Sequence, residues 1–165
     1  MASEGAGLYN ASIMLKLGKG PRVAATAIAL PRDVLSTFPA VARHPFPFLL
    51  ESAGAGRYSF LGSNPYAVLT ARGDRLSLWR EGRQKTSRGN PFDALEELLR
   101  ESKAENDRGL PFPGGAVGAF GYDLGQHLEK LPHRAEDDLD FPDLVVGFYD
   151  RLVSVDHQEG KAQIV

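Results

Sequence analysis

Four sets of residues in this chain have types and spacings from which chemistry can be built, and each falls short on a different physical requirement. Gly54-Ala55-Gly56 starts like a dinucleotide fingerprint. However, Ser59 stands where the third glycine belongs, and Pro65 blocks the long helix whose N-terminus would hold a pyrophosphate. Gly114, Gly115, Gly118 and Gly121 recur within an apolar segment at a spacing that is neither GxGxxG nor a phosphate loop, which would also need Gly-Lys-Ser/Thr. They read instead as places where a helix or a ligand closely approaches the backbone of a strand. His44, His127, His133 and His157 include no pair at the i, i+4 spacing of a helical metal site. His127, Glu129 and His133 would converge only through loop folding, so surface or capping roles are expected. Glu136, Asp137, Asp138 and Asp140 carry the oxygens that Mg²⁺ prefers, yet a hard-cation site needs converging ligands, and the run reads as a solvated loop.

No Ser, His and Asp stand in a nucleophile-elbow context, and no lysine or carboxylate pair stands out as an acid/base. The chain is therefore assigned no catalytic residue, no metal ligand and no cofactor of its own. Other function classes fall away on composition. A net charge of -2 gives no positive field to capture phosphates, which argues against nucleic acid as a partner. Cysteine is absent, so there is neither a disulfide framework nor a thiolate site. The longest apolar stretches, Phe46 to Leu50 and Leu144 to Val146, fall far short of the ~20 residues that span a bilayer. With no signal-peptide pattern, a soluble cytoplasmic protein without a membrane partner is expected.

The elements that would position these residues follow from local signals. A length of 165 residues, 42% hydrophobic and 24% charged, suits one domain with a continuous core. Residues 1–22 read as a poorly ordered leader that ends in Gly18-Lys19-Gly20-Pro21, and a first strand follows at Val23 to Leu30. Asp33 can cap a short helix carrying Val34, Phe38 and Val41, although Pro39 weakens it. Phe48 to Ala53 and Arg57 to Leu61 read as a hairpin. Ala67 to Ala71, Arg75 to Trp79 and Gln84 to Ser87 form an antiparallel meander through Gly73-Asp74 and Glu81-Gly82. Asn90 and Pro91 open the best helix, Asn90 to Ser102, with Phe92, Leu95, Leu98 and Leu99 on one face. A Gly-rich strand to Tyr122, a short helix at Asp123 to Lys130, and strands at Leu144 to Tyr149 and Arg151 to Asp156 follow. Ala162 to Val165 alternates like the opening of another strand, so the stop there is expected to be an imposed boundary. Many strands with two to three helices imply an α+β fold of antiparallel or mixed β-sheets.

Two blocks add a family resemblance. Pro47-Phe48-Leu49-Leu50-Glu51-Ser52-Ala53 precedes Gly56-Arg57-Tyr58-Ser59-Phe60-Leu61-Gly62. Farther on stand Leu110-Pro111-Phe112-Pro113-Gly114-Gly115-Ala116-Val117-Gly118, Gly121-Tyr122-Asp123-Leu124-Gly125 and Phe141-Pro142-Asp143-Leu144, then Val155-Asp156-His157. From about Val23 to the end, the chain resembles the N-terminal domain of the anthranilate synthase component I family, which includes aminodeoxychorismate synthases. The resemblance implies that residues 23–165 are such a domain, cut before the chorismate-binding catalytic domain that carries the Mg²⁺ ligands.

For the intact protein the resemblance implies amination of chorismate to 4-amino-4-deoxychorismate, for p-aminobenzoate and folate, with ammonia from a glutamine amidotransferase subunit or domain. Tyr122-Asp123-Leu124-Gly125 and Val146-Gly147-Phe148-Tyr149-Asp150 look closer to this folate branch. An anthranilate synthase domain with tryptophan feedback, or a free-standing small-molecule-binding module, are the alternatives. The resemblance further makes Ser52, Arg57 and Tyr58 part of an L-tryptophan pocket, structural or regulatory. Without the resemblance, the residue types favour ordinary roles, with Leu49 and Leu50 as core, Arg57 as a surface cation and Ser52 as a strand-end hydrogen bonder.

Overall fold

Helix ends show most directly how this sequence dictates structure. In the computed structural model, which describes residues 23–29, 33–51, 55–106, 108–130 and 140–165, Asn90 has an extended backbone and its side-chain oxygen accepts from the N–H of Phe92 at 2.9 Å. Pro91 follows at the first helical position, where its missing N–H costs nothing, and α2 runs Pro91–Glu101. At the other end, Tyr66 donates to Ser102 Oγ at 2.6 Å, and Ser102 Oγ donates to the Leu98 carbonyl at 2.6 Å. This short relay ties the last turn of α2 to the chain entering the strands beneath it. The eight-residue α1, Val34–Val41, is capped by Asp33, whose carboxylate accepts from the N–H groups of Leu35 and Ser36 at 3.1 Å each.

The strands divide into two five-stranded antiparallel sheets. In chain order they are β1 (Thr26–Ile28), β2 (Phe48–Leu50), β3 (Tyr58–Gly62), β4 (Ala67–Arg72), β5 (Arg75–Arg80), β6 (Arg83–Arg88), β7 (Gly115–Phe120), β8 (Leu144–Tyr149), β9 (Val153–Asp156) and β10 (Lys161–Ile164). The first sheet has the order β1-β10-β9-β3-β2 and the second β6-β5-β4-β8-β7. The β4-β5-β6 meander turns on Gly73 and Gly82, both with positive φ, as two-residue hairpin loops favour. In each sheet an early strand pairs with a late one: Leu69 lies opposite Val146, and Phe60 opposite Ser154.

Each sheet buries one face beneath a helix. Leu61, Val155 and Ala162 pack with Val34 and Val41 of α1. Ala67, Leu69, Ala71, Leu76, Val146 and Phe148 pack with Leu98 of α2, and Phe92, Ala94 and Leu95 complete the contact. The α+β expectation therefore describes this molecule, with antiparallel sheets and three helices among the described residues.

Several boundaries differ from expectation. The first strand shortens to Thr26–Ile28. The helix expected at Asp123 to Lys130 is a 3₁₀ helix, Tyr122–His127. Leu99 is exposed because the buried stripe of α2 centres on Pro91, Ala94, Leu95 and Leu98, which leaves Leu99 at its rim. The Gly-rich strand does meet a close backbone approach, but from β8 and not from a helix or a ligand. A side chain at Gly118 would collide with the Val145 carbonyl, and Gly114, at φ +126°, would place a Cβ 2.9 Å from the Tyr149 carbonyl.

Candidate functional site

The β2–β3 hairpin divides its side chains by strand alternation. Leu49, Ser59 and Leu61 belong to the α1 side, together with Val153 and Val155 of β9. Phe48, Leu50, Tyr58 and Phe60 belong to the opposite side, in register with Ser154 and Asp156. On that side the rings of Tyr58 and Phe60 stack with centroids 6.1 Å apart. Phe112 meets Phe60 edge-on at 5.5 Å. Behind them, Phe48 and Tyr149 form an edge-to-face pair at 4.6 Å, and the Tyr149 hydroxyl donates to the Phe46 carbonyl at 2.8 Å. Tyr58, Phe60 and Phe112 are only half-buried, and Leu50 stays 46% exposed. The result is an aromatic shelf that is built but uncovered.

Arg57 closes one end of this shelf. Its guanidinium carbon lies 5.0 Å from the Tyr58 ring centroid, within cation–π range. Its Nε donates to both oxygens of Asp156 at 3.1 Å, and Nη2 donates to Oδ2 at 2.8 Å. Asp156 Oδ1 also accepts from the backbone N–H groups of Gln158 and Glu159 at 3.0 and 3.1 Å. The hydrogen bonds from Arg57, supported by that backbone, hold the Asp156 carboxyl down at about 2. Asp156 raises the guanidinium in return. Nη1 takes no part in this contact, so Arg57 keeps a donor edge while Asp156 offsets its charge. Toward a bound carboxylate such a group orients more than it attracts.

The structure thus brings Arg57 and Tyr58 together at one rim, while Ser52 lies outside the described residues. Reasoning from sequence missed Asp156, Phe60 and Phe112. Asp156 stands 99 positions from Arg57, and nothing local marks it as a partner. The alternation Tyr58-x-Phe60 was the one available sign that two rings share a face.

Of the histidines, His157 Nε2 lies 2.7 Å from Ser59 Oγ. Ser59 is fully buried, so the pair pins the hairpin to the turn after β9 and presents no nucleophile to solvent. His127 Nε2 lies 3.2 Å from the Gly73 carbonyl, a loop-tying role. Asp140 of the acidic run pairs with Arg72, and Glu136 to Asp138 and His133 fall outside the described residues. Among the described residues, no group of three or more His, Asp or Glu is placed to hold a metal ion, and no helix is long and apolar enough to cross a membrane.

With this geometry in place, comparison with known proteins is specific. The family model described as chorismate binding enzyme matches residues 46–165. Anthranilate synthase component 1 of Acetivibrio thermocellus is 39% identical over 124 residues, covering 72% of this chain and 25% of that protein. Aminodeoxychorismate synthase component 1 of Escherichia coli K12 is 36% identical over 120 residues, covering 69% of this chain and 26% of that protein. The crystal structure of anthranilate synthase component I from Streptococcus pneumoniae TIGR4 superposes with a TM-score of 0.56 at 28% identity, over 72% of this chain and 26% of that one. This chain thus spans about a quarter of the length of each.

Proposed function

The chain belongs to the chorismate binding enzyme family, and from that premise we propose that it is the N-terminal, non-catalytic part of aminodeoxychorismate synthase component I. The intact protein aminates chorismate to 4-amino-4-deoxychorismate in the cytoplasm, for p-aminobenzoate and folate, with ammonia from a glutamine amidotransferase subunit or domain. Residues 23–165 act as scaffold and as one wall of an L-tryptophan pocket. Chorismate and Mg²⁺ belong to the remainder of the longer protein. The described residues of this chain do not fit a metal, and no step through Mg²⁺ is derived from them.

The carrying observation is the uncovered shelf of Tyr58, Phe60 and Phe112 with Arg57 at its rim. An indole needs an apolar, partly aromatic wall, an α-carboxylate needs a fixed donor, and an α-ammonium needs oxygen acceptors. The rings supply the first, and Nη1 of Arg57 supplies the second. Ser52, carried over from the family resemblance, is assigned to the third together with neighbouring carbonyls. An anthranilate synthase component I with tryptophan feedback is the second reading, supported by the 39% identity to such a protein. The sequences around Tyr122 and Val146 favour the first.

Product analysis on the natural-length protein, given chorismate, Mg²⁺ and an ammonium salt, is expected to show 4-amino-4-deoxychorismate. Anthranilate would favour the second reading. The 165-residue chain alone should form neither, and product above the no-protein control would overturn its non-catalytic role. For the pocket, calorimetry on natural-length protein stripped of tryptophan should show weaker tryptophan binding after combined Ser52→Ala and Arg57→Ala. Equal affinity would remove both residues from the site. The isolated chain should bind tryptophan poorly, because an open shelf forgoes much of the ~25 cal/mol per Å² that burial supplies.

A further inference from the structure

The outer face of the β4-β5-β6 meander, opposite α2, carries a second arrangement that the tryptophan pocket does not use. Register sorts its side chains into three rows across the strands. Val68, Trp79 and Gln84 form the first, Thr70, Ser77 and Thr86 the second, and Arg72, Arg75 and Arg88 the third. The face therefore changes along the strands from apolar and aromatic, through hydroxyl, to guanidinium.

Two adjoining grooves lie along this gradient. One, of about 460 Å³, is lined by Phe46, Pro65, Val68 and Trp79 and reaches Thr70, Ser77 and Gln84. The other, of about 580 Å³, shares those three polar residues and extends to Arg72, Arg75 and Arg88. Each volume lies in the range of small-molecule sites.

Two features of this face run against stability. Like charges directly opposite one another across strands repel, yet three arginines stand in one row. Asp140 pairs with Arg72 and Asp74 with Arg88, while among the described residues Arg75 makes no ion pair. The nearby carboxylate of Asp143 accepts from the Gly73 N–H at 2.6 Å, and among the described residues no acidic side chain lines either groove. At the apolar end, Phe46 and Trp79 remain 47% and 42% exposed. Phe46 holds a left-handed backbone at φ +48°, with its carbonyl fixed by the Tyr149 hydroxyl and the preceding Pro45 carbonyl fixed by the Asn64 N–H at 2.9 Å. A bulky residue at positive φ is strained. Here the strain holds an aromatic side chain at the wall of the groove.

We propose that this face binds a small amphiphilic anion, with a planar apolar ring against Phe46 and Trp79 and a carboxylate or phosphate on Arg75 between Arg72 and Arg88. Gln84 Nε2 donates to Ser77 Oγ at 2.8 Å, which ties the first row to the second and leaves hydroxyl groups to accept from or donate to substituents between the two ends. The site lies on a different sheet from the tryptophan shelf and stands or falls separately from it.

Trp79 is the single tryptophan of the 165-residue chain and so reports on the groove directly. Titration with 4-methylbenzoate should change Trp79 fluorescence saturably, with affinity falling at high salt, whereas 4-methylbenzamide and inorganic phosphate should each bind about tenfold more weakly. Arg75→Gln should lower 4-methylbenzoate affinity about tenfold without lowering the melting temperature, because Arg75 is exposed and its removal relieves repulsion from Arg72 and Arg88. Calorimetry on the natural-length protein, comparing wild type, Arg75→Gln and Trp79→Ala, repeats the test without the fluorescent reporter. Binding that is absent, that is indifferent to Arg75, that is equal for acid and amide, or that is lost in the natural-length protein would overturn the proposal.

Discussion

The α2-covered face of the second sheet and the aromatic shelf of the first are both rich in large apolar side chains, yet they are finished in opposite ways. Beneath α2, Leu69, Val146 and Phe148 are almost fully buried against Leu98, with Tyr66 and Ser102 locking the helix end. On the shelf, rings are held to one another and to a rim formed by an ion pair, while Leu50 is 46% exposed and Tyr58 and Phe60 are only half-buried. Solvent exclusion holds the first region together. The second is shaped by directional contacts that keep a surface in form before anything covers it. A closed core and an open but ordered surface thus occupy different parts of one small chain.

The contrast can be broken most forcefully at Leu98. Leu98→Ala should cost roughly 2 to 5 kcal/mol in denaturant melts, as a cavity in a closed core does. A loss under about 0.5 kcal/mol would mean that α2 covers its sheet no better than the shelf is covered.

Asp156→Asn comes next and probes the rim. The folded carboxyl, at about 2, lies below the ~3.9 of an unfolded aspartate. Its contribution is therefore fully present above pH ~4 and is lost as pH falls toward 2. The asparagine variant should melt lower at neutral pH, by less than Leu98→Ala, and should show a flatter pH dependence in that acid window. Parallel pH–melting curves for both proteins would show that the Arg57 pair shapes nothing.

Leu50→Ser should have the smallest effect, within about 0.5 kcal/mol in the 165-residue chain, because its side chain is already half in water. A cost as large as that of Leu98→Ala would show that the shelf is a closed core after all.

Local chemistry made much of this fold legible. Asn90-Pro91 announced α2, Asp33 announced α1, and Gly73-Asp74 and Glu81-Gly82 announced the meander, because caps and tight turns are decided within a few residues. Two separate sheets were not legible, since that division depends on β3 choosing β9 and β4 choosing β8, which no neighbouring residue encodes. The site divides in the same way. Arg57 and Tyr58 were named through family resemblance, but Asp156, which fixes the guanidinium, emerges only from the β3–β9 register. The arginine row likewise exists only after three strands align, for in the sequence Arg72, Arg75 and Arg88 are scattered cations.

The pairing of early strands with late ones also governs when this chain can fold during its synthesis. While the ribosome is still adding residues before Leu144, β3 lacks β9 and β4 lacks β8, so each sheet misses a central strand, and the β2–β3 hairpin and the β4-β5-β6 meander with α2 have their local partners alone. The apolar residues of β3 and β4 must then wait unsatisfied until the last two dozen or so positions emerge, a long-range closure of the kind that slows folding and exposes nascent chains to aggregation. A nascent chain arrested just before Leu144 should therefore be far more sensitive to protease, and more readily held by chaperones, than one arrested after Val165 has cleared the exit tunnel.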